Sequence, residues 1–202
     1  ILLLFLMLGV FLLAGCKKAK NTQESFLTMV SNSKGYKVEG VLETFFENGR
    51  KQSDFTVCYK QPDLYKVELQ SVENTDKQII LKNKDGVFVL VPSVNKNFKI
   101  KSTWPSNASY PYLLQSLSQD LVNDKEQVVT ETETTYTVQT KTKMHTEADA
   151  VSQKIIFSKE TNLPTEVLAY ENDGDLRACR QELPHALGRS AAKSSACACI
   201  MR

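Results

Sequence analysis

The sequence predicts a mainly β domain, an antiparallel meander of about nine to eleven strands with two helices. Three observations predict it. Short runs between residues 36 and 170 alternate apolar and polar side chains, the period of a strand with one buried face. Tight turn signals such as Asn48-Gly49 and Lys84-Asp85-Gly86 separate them, and turns that short join only antiparallel neighbours. Two stretches alone carry helical spacing.

The first of these is Gln23 to Asn32, where Phe26, Met29 and Val30 stand at i, i+3 and i+4 and Thr22 is the expected cap. Tyr36, Val38 and Leu42 then begin the alternation, which turns at Glu47-Asn48-Gly49-Arg50 and returns through Phe55, Val57 and Tyr59. A second turn at Lys60-Gln61-Pro62-Asp63 leads to Tyr65, Val67 and Leu69. Gln78 to Leu81, Val87 to Val91 and Phe98 to Lys101 extend the meander through short connections. The second helix is Pro111 to Asp124, with Leu113, Leu114, Leu117 and Leu121 at helical spacing and Pro111 suited to its first turn. Strands resume at Glu126 to Thr134, Tyr136 to Met144, Gln153 to Lys159 and Thr165 to Tyr170. A meander this long has two open edges and one apolar face, so it closes into a barrel or covers that face with its helices.

Both ends differ from the body. Ile1 to Ala14 is a charge-free apolar run, shorter than the roughly 20 residues of a spanning helix and of signal-peptide length. It ends in Leu13-Ala14-Gly15-Cys16, which resembles the bacterial lipoprotein signal. That resemblance implies a diacylglycerol on Cys16 and a chain held on the outer face of the cell membrane by its acyl groups. The other end, residues 177–202, holds five Lys+Arg against one Glu and as many Ala as the preceding 176 residues. That switch of usage reads as a change of frame or a fusion scar, so Cys179 to Arg202 are excluded from the expected fold. The expected organisation is signal 1–15, lipidated tether 16–22, β-domain 23–176 and aberrant tail 177–202.

The 202 residues are 42% hydrophobic and 24% charged, an ordinary globular composition. A net charge of +2 argues against nucleic-acid binding, and the eight scattered glycines leave no GxGxxG or GxxxxGK[ST] phosphate loop. Cys58, Cys179, Cys197 and Cys199 form no disulfide framework, and with His185 they lack the paired hooks of a structural zinc site. His145 is the only histidine in the body and reads as a solvated turn residue, while alternation places Cys58 opposite Val57 and Tyr59 as a buried thiol. No base stands beside a nucleophile, so the expectation is a protein without catalytic residues, without a metal and with no cofactor beyond the lipid on Cys16.

The order of elements resembles the outer-membrane lipoprotein carrier family, the LolA-like and LolB-like group, in a lipid-anchored form of the Gram-positive type. The resemblance rests on the first helix, Tyr36-Lys37-Val38-Glu39-Gly40, the strand pair Lys60-Gln61-Pro62-Asp63-Leu64-Tyr65-Lys66-Val67, the hairpin Ile79 to Pro92, and Trp104-Pro105 to Leu117. It implies an incomplete antiparallel barrel wrapped round helices, with a greasy interior that accepts acyl chains. The expected lining is Val38, Leu42, Val57, Tyr59, Tyr65, Val67 and Leu69, with Leu113, Leu114 and Leu117 as lid. It also implies a monomer that handles lipid or lipoprotein acyl chains, or an envelope sensor with a membrane-protein partner. Three departures follow: Cys16 argues against a soluble shuttle, Lys66 keeps the family's strand charge without the planar fork of arginine, and the last strands should fall after Tyr170, leaving the barrel short of an edge.

Overall fold

The computed structural model describes residues 21–46, 48–144, 150–170 and 179–182. Helix α1 (Thr22–Asn32) leads into strands β1 (Gly35–Phe46), β2 (Gly49–Lys60), β3 (Leu64–Ser71), β4 (Lys77–Asn83) and β5 (Gly86–Val91). A 3-10 turn at Pro92–Val94 precedes β6 (Lys96–Ile100), and helix α2 (Leu114–Asn123) separates it from β7 (Val128–Glu131), β8 (Thr135–Met144), β9 (Ala150–Ser158), β10 (Pro164–Tyr170) and β11 (Cys179–Glu182). All eleven strands form one antiparallel sheet in the order β6-β5-β4-β3-β2-β1-β11-β10-β9-β8-β7. The sheet does not close on itself: among the described residues β6 and β7 are free edges, and the architecture is an incomplete half-barrel.

The turns act as their residues dictate. Phe46 pairs with Gly49, and Asn83 pairs with Gly86, which leaves a two-residue hairpin loop at Lys84-Asp85. Gly86 has φ +133°, a conformation that side-chain-bearing residues rarely adopt. Asn162, at φ 57°, turns the chain from β9 into β10, using the tolerance of asparagine for the left-handed region.

Two expectations about the helices change. Asn21, not Thr22, caps α1: its side chain accepts from the Gln23 backbone N–H at 2.9 Å, and Thr22 is already helical and buried. Helix α2 begins at Leu114 with Leu113 in the cap position, so Pro111 lies in the turn before the helix, not in it. Tyr112 lies in that turn, closed by the Leu113 N–H donating to the Tyr110 carbonyl at 3.0 Å, and Tyr112 and Leu113 are both buried.

The exclusion of Cys179 to Arg202 from the fold does not hold for Cys179–Glu182. This strand pairs with β1 from Val41 to Thr44 and with β10 from Glu166 to Ala169. Two strand edges left bare by the meander are satisfied by one short segment, and because ladder bonds use the backbone, unusual side-chain composition did not forbid it. The missing edge expected after Tyr170 is thus occupied; residues 171–178 and 183–202 lie outside the described residues.

One face of the sheet carries the core. Register aligns Val38, Val57 and Val67 across β1, β2 and β3, and Val138, Ile155 and Val167 across β8, β9 and β10. The helices lie on this face. Phe26 of α1 meets Phe157 edge-on at 5.2 Å, and Leu114, Leu117 and Leu121 of α2 are all buried. Burying each such leucine or phenylalanine contributes about 1.5–3 kcal/mol.

Candidate functional site: the concave face and its open flank

Of the ten residues expected to line a greasy interior, eight are buried: Val38, Val57, Tyr59, Tyr65, Val67, Leu113, Leu114 and Leu117. Leu42 and Leu69 are half-buried and pack against the same cluster. The fold therefore brings the lining and the lid together, and they touch: the helices and the Trp104 to Leu113 segment fill the hollow of the half-barrel with side chains.

Within that filling runs a chain of aromatic rings that periodicity reveals only in part. Tyr36 lies 5.1 Å from Tyr59, Tyr59 lies 5.0 Å from Tyr65, Tyr65 lies 5.5 Å from Trp104, and Trp104 continues to Tyr110 at 5.9 Å. Tyr59 donates its hydroxyl to the Pro62 carbonyl at 3.2 Å, and Tyr36 donates to Gln115 Oε1. Burial pushes the Tyr36, Tyr59 and Tyr65 phenols up, so they stay neutral donors. Trp104 Nε1 and Gln115 Nε2 are buried donors with no hydrogen-bond partner among the described residues.

The apolar face does not stop where the helices do. The register row Val57, Val67 continues through Ile80 on β4, Val89 on β5 and Phe98 on β6. Exposure rises along it, from 0% at Val67 to 50% at Phe98. Val87 and Ile100 form a parallel row, buried on β5 and exposed on β6. The sequence supplies this strip because β4 and β5 are apolar on both faces (Gln78-Ile79-Ile80-Leu81 and Val87-Phe88-Val89-Leu90-Val91). That double-sided run is the signal that marks the open flank.

On the far side, α2 meets the sheet through a polar network that sequence reasoning missed. Asp120 accepts from Ser109 Oγ at 2.9 Å, from Thr142 Oγ1 at 3.1 Å and from Gln153 Nε2 at 2.7 Å. Burial pushes the Asp120 carboxyl up, against the downward pull of those three donors and of Lys143. An open cleft of about 810 Å³ lies beside it, bordered by Asn107, Gln119, Asp124, Lys125, Glu126 and Lys143 among others. Gln153 was legible in principle: it shares the phase of Ile155 and Phe157, so a polar side chain was due to enter the core there.

Cys58 is buried, on the face opposite Val57 and Tyr59, as expected. Cys16, His145, His185, Cys197 and Cys199 lie outside the described residues. No group of three metal-type side chains occurs among the described residues, and no described helix is long and apolar enough to cross a membrane.

Comparison with known proteins adds a family. Residues 1–179 match the model described as sporulation protein YdcC-like. The sporulation protein YdcC of Bacillus subtilis is 34% identical over 176 residues, covering 86% of this chain and 52% of that protein, so the chain spans about half the length of this relative. Among solved structures, the complex of the CwlD amidase of Clostridioides difficile with the GerS lipoprotein contains a chain of similar shape, with TM-score 0.46, 14% identity, and coverage of 82% of this chain and 93% of that one. A putative outer-membrane lipoprotein-sorting protein domain from Vibrio parahaemolyticus gives TM-score 0.40 and 10% identity over 87% of this chain and 99% of that one.

Proposed function

The chain belongs to the YdcC-like sporulation protein family, and from that premise and the open flank we propose that it is an extracytoplasmic lipoprotein, anchored through Cys16, whose half-barrel binds a lipid or lipoprotein acyl chain without covalent chemistry. One observation carries the reading: the apolar row Val57, Val67, Ile80, Val89 and Phe98 emerges from under the helices and ends uncovered. An acyl chain laid along it gains about 25 cal/mol for each Å² removed from water. Trp104 Nε1 and Gln115 Nε2, buried donors inside the same aromatic cluster, suit an ester or carbonyl oxygen. In this reading the lipoprotein-carrier resemblance describes the binding mode, and the anchor makes the protein a resident of the membrane surface. The sporulation name of its relative supports a role in a sporulating cell.

The test is mass spectrometry of solvent extracts from the protein lacking residues 1–16, purified without detergent. A stoichiometric lipid supports the reading, and Val89→Asp with Phe98→Asp should empty it while leaving the fold intact. An empty, folded protein refutes it. Replacement of Cys16 by Ser, with radiolabelled palmitate as the readout, tests the anchor separately.

A second reading, an envelope sensor or interaction domain, is favoured by the filling itself. Eight of the ten lining residues are packed against one another, so an interior site requires the helices to move, whereas a partner protein could use the surface as it stands.

A further inference from the structure

Strand β6, like the other edge strand β7, is exposed along its whole length, but its charge sets it apart. All five of its residues are exposed, Phe98 and Ile100 at 50% and 38%, and its outer backbone groups have no neighbouring strand among the described residues. An unpaired edge is a template for another strand. Its charge is of one sign. Lys96 and Lys99 lie on β6 and Lys101 just beyond it, and the sequence has no carboxylate between Asp85 and Asp120. Lys66, Lys77 and Lys82 are paired to Glu68 and Asp63, but none of the three edge lysines forms an ion pair among the described residues.

We propose that the β6 edge docks an extended segment of a partner protein in which acidic and apolar side chains alternate, added to the sheet as a further strand. The alternation follows from the register. Phe98 pairs with Val89 and so faces the core side, while Lys99 pairs with Phe88 and faces the outside, its Nζ 5.7 Å from that ring. An added strand sets its apolar residues beside Phe98 and Ile100, extending the row from Val67, and its carboxylates beside Lys99 and Lys101. A flat anionic bilayer fits less well, because Phe98 and Lys99 point to opposite faces. A second copy pairing through its own β6 brings lysines together. The other edge, β7, carries Glu126 and Glu131, which are paired to Lys141 and Lys159, and Glu133, so a copy presenting β7 is the self-pairing that charge opposes least. The proposal goes beyond acyl binding, which uses the face of the strip and not the backbone edge, and either can fail alone.

The test is hydrogen–deuterium exchange of the full chain in zwitterionic nanodiscs, with a short peptide alternating Glu and Val. The amides of Lys96 to Ile100 should slow at least about tenfold with this peptide, and not with its Lys-for-Glu counterpart or with a copy N-methylated at alternate amides. The triple variant Lys96→Glu, Lys99→Glu, Lys101→Glu, all at exposed positions, should exchange the preference of the two charged peptides. The proposal is overturned if no peptide protects β6, if the N-methylated copy protects equally, if anionic vesicles alone protect it, or if β6 is protected without peptide in proportion to protein concentration.

Discussion

Gln153 on β9 donates a 2.7 Å hydrogen bond to Oδ2 of Asp120 on α2. Gln153 is fully buried and its own Oε1 is without a partner among the described residues. The contact fastens the helix to the strands beneath it, with Ser109 and Thr142 completing the shell of the Asp120 carboxylate.

Asp120→Ala should therefore lower stability by about 1–3 kcal/mol, because it leaves Gln153 Nε2 buried without an acceptor. Asp120→Asn should cost less, since the amide oxygen still accepts. The pH dependence separates charge from shape. Burial raises the folded-state carboxyl above its unfolded value, so the stability linked to Asp120 is complete below the ordinary carboxylate range and falls as pH rises through the folded value. Thermal unfolding between about pH 3.5 and 7 should show this decline in the native protein and lose it in Asp120→Asn.

Helix α1 is held mainly by one ring. Phe26 is fully buried and meets Phe157 edge-on, so Phe26→Ala should cost about 3–5 kcal/mol in denaturant unfolding. Met29, on the same helix but 38% exposed, should change stability by less than about 0.5 kcal/mol when replaced by alanine. Equal effects at the two positions would show that α1 does not pack as described.

The cap gives a sharper contrast. Asn21→Ala removes the acceptor of the Gln23 N–H and should cost about 1 kcal/mol. The sequence pointed to Thr22, and the one-residue error shows what was legible. Periodicity found both helices and the alternating strands, because Phe26, Val30, Leu114, Leu117 and the Val38, Val57 and Val67 row owe their places to burial. It located neither the helix starts, which depend on backbone hydrogen bonds, nor β11, whose ladder to Val41 and Glu166 uses backbone alone. For the candidate site the limit was different. Alternation marked the right face but gave no sign that the Trp104 to Leu113 segment fills the hollow, since a run of irregular turns has no period to read.

A chain ending at residue 178 should be less stable than one ending at residue 182, and more prone to aggregate. The shorter chain leaves Val41 to Thr44 and Glu166 to Ala169 as two bare edges facing each other. Light scattering during thermal unfolding compares the two directly, and identical behaviour would return the strand to the tail from which composition alone would place it.

The acidic limb of stability should run opposite to the Asp120 effect at Glu68. Burial raises this carboxyl, but hydrogen bonds and charge from Lys66 and from Lys77, whose Nζ lies 2.5 Å away, outweigh it and hold the group below the usual range. A lowered folded value means stability present above the unfolded pKa and lost as pH falls through the folded one. Glu68→Gln should thus flatten the loss at acid pH, while Asp120→Asn flattens the decline at higher pH, and the double variant should do both because the two sites share no partner. Since Lys77 and Glu68 are partly open to solvent, the Glu68 effect should also shrink in high salt, and the Asp120 effect, resting on burial, should not.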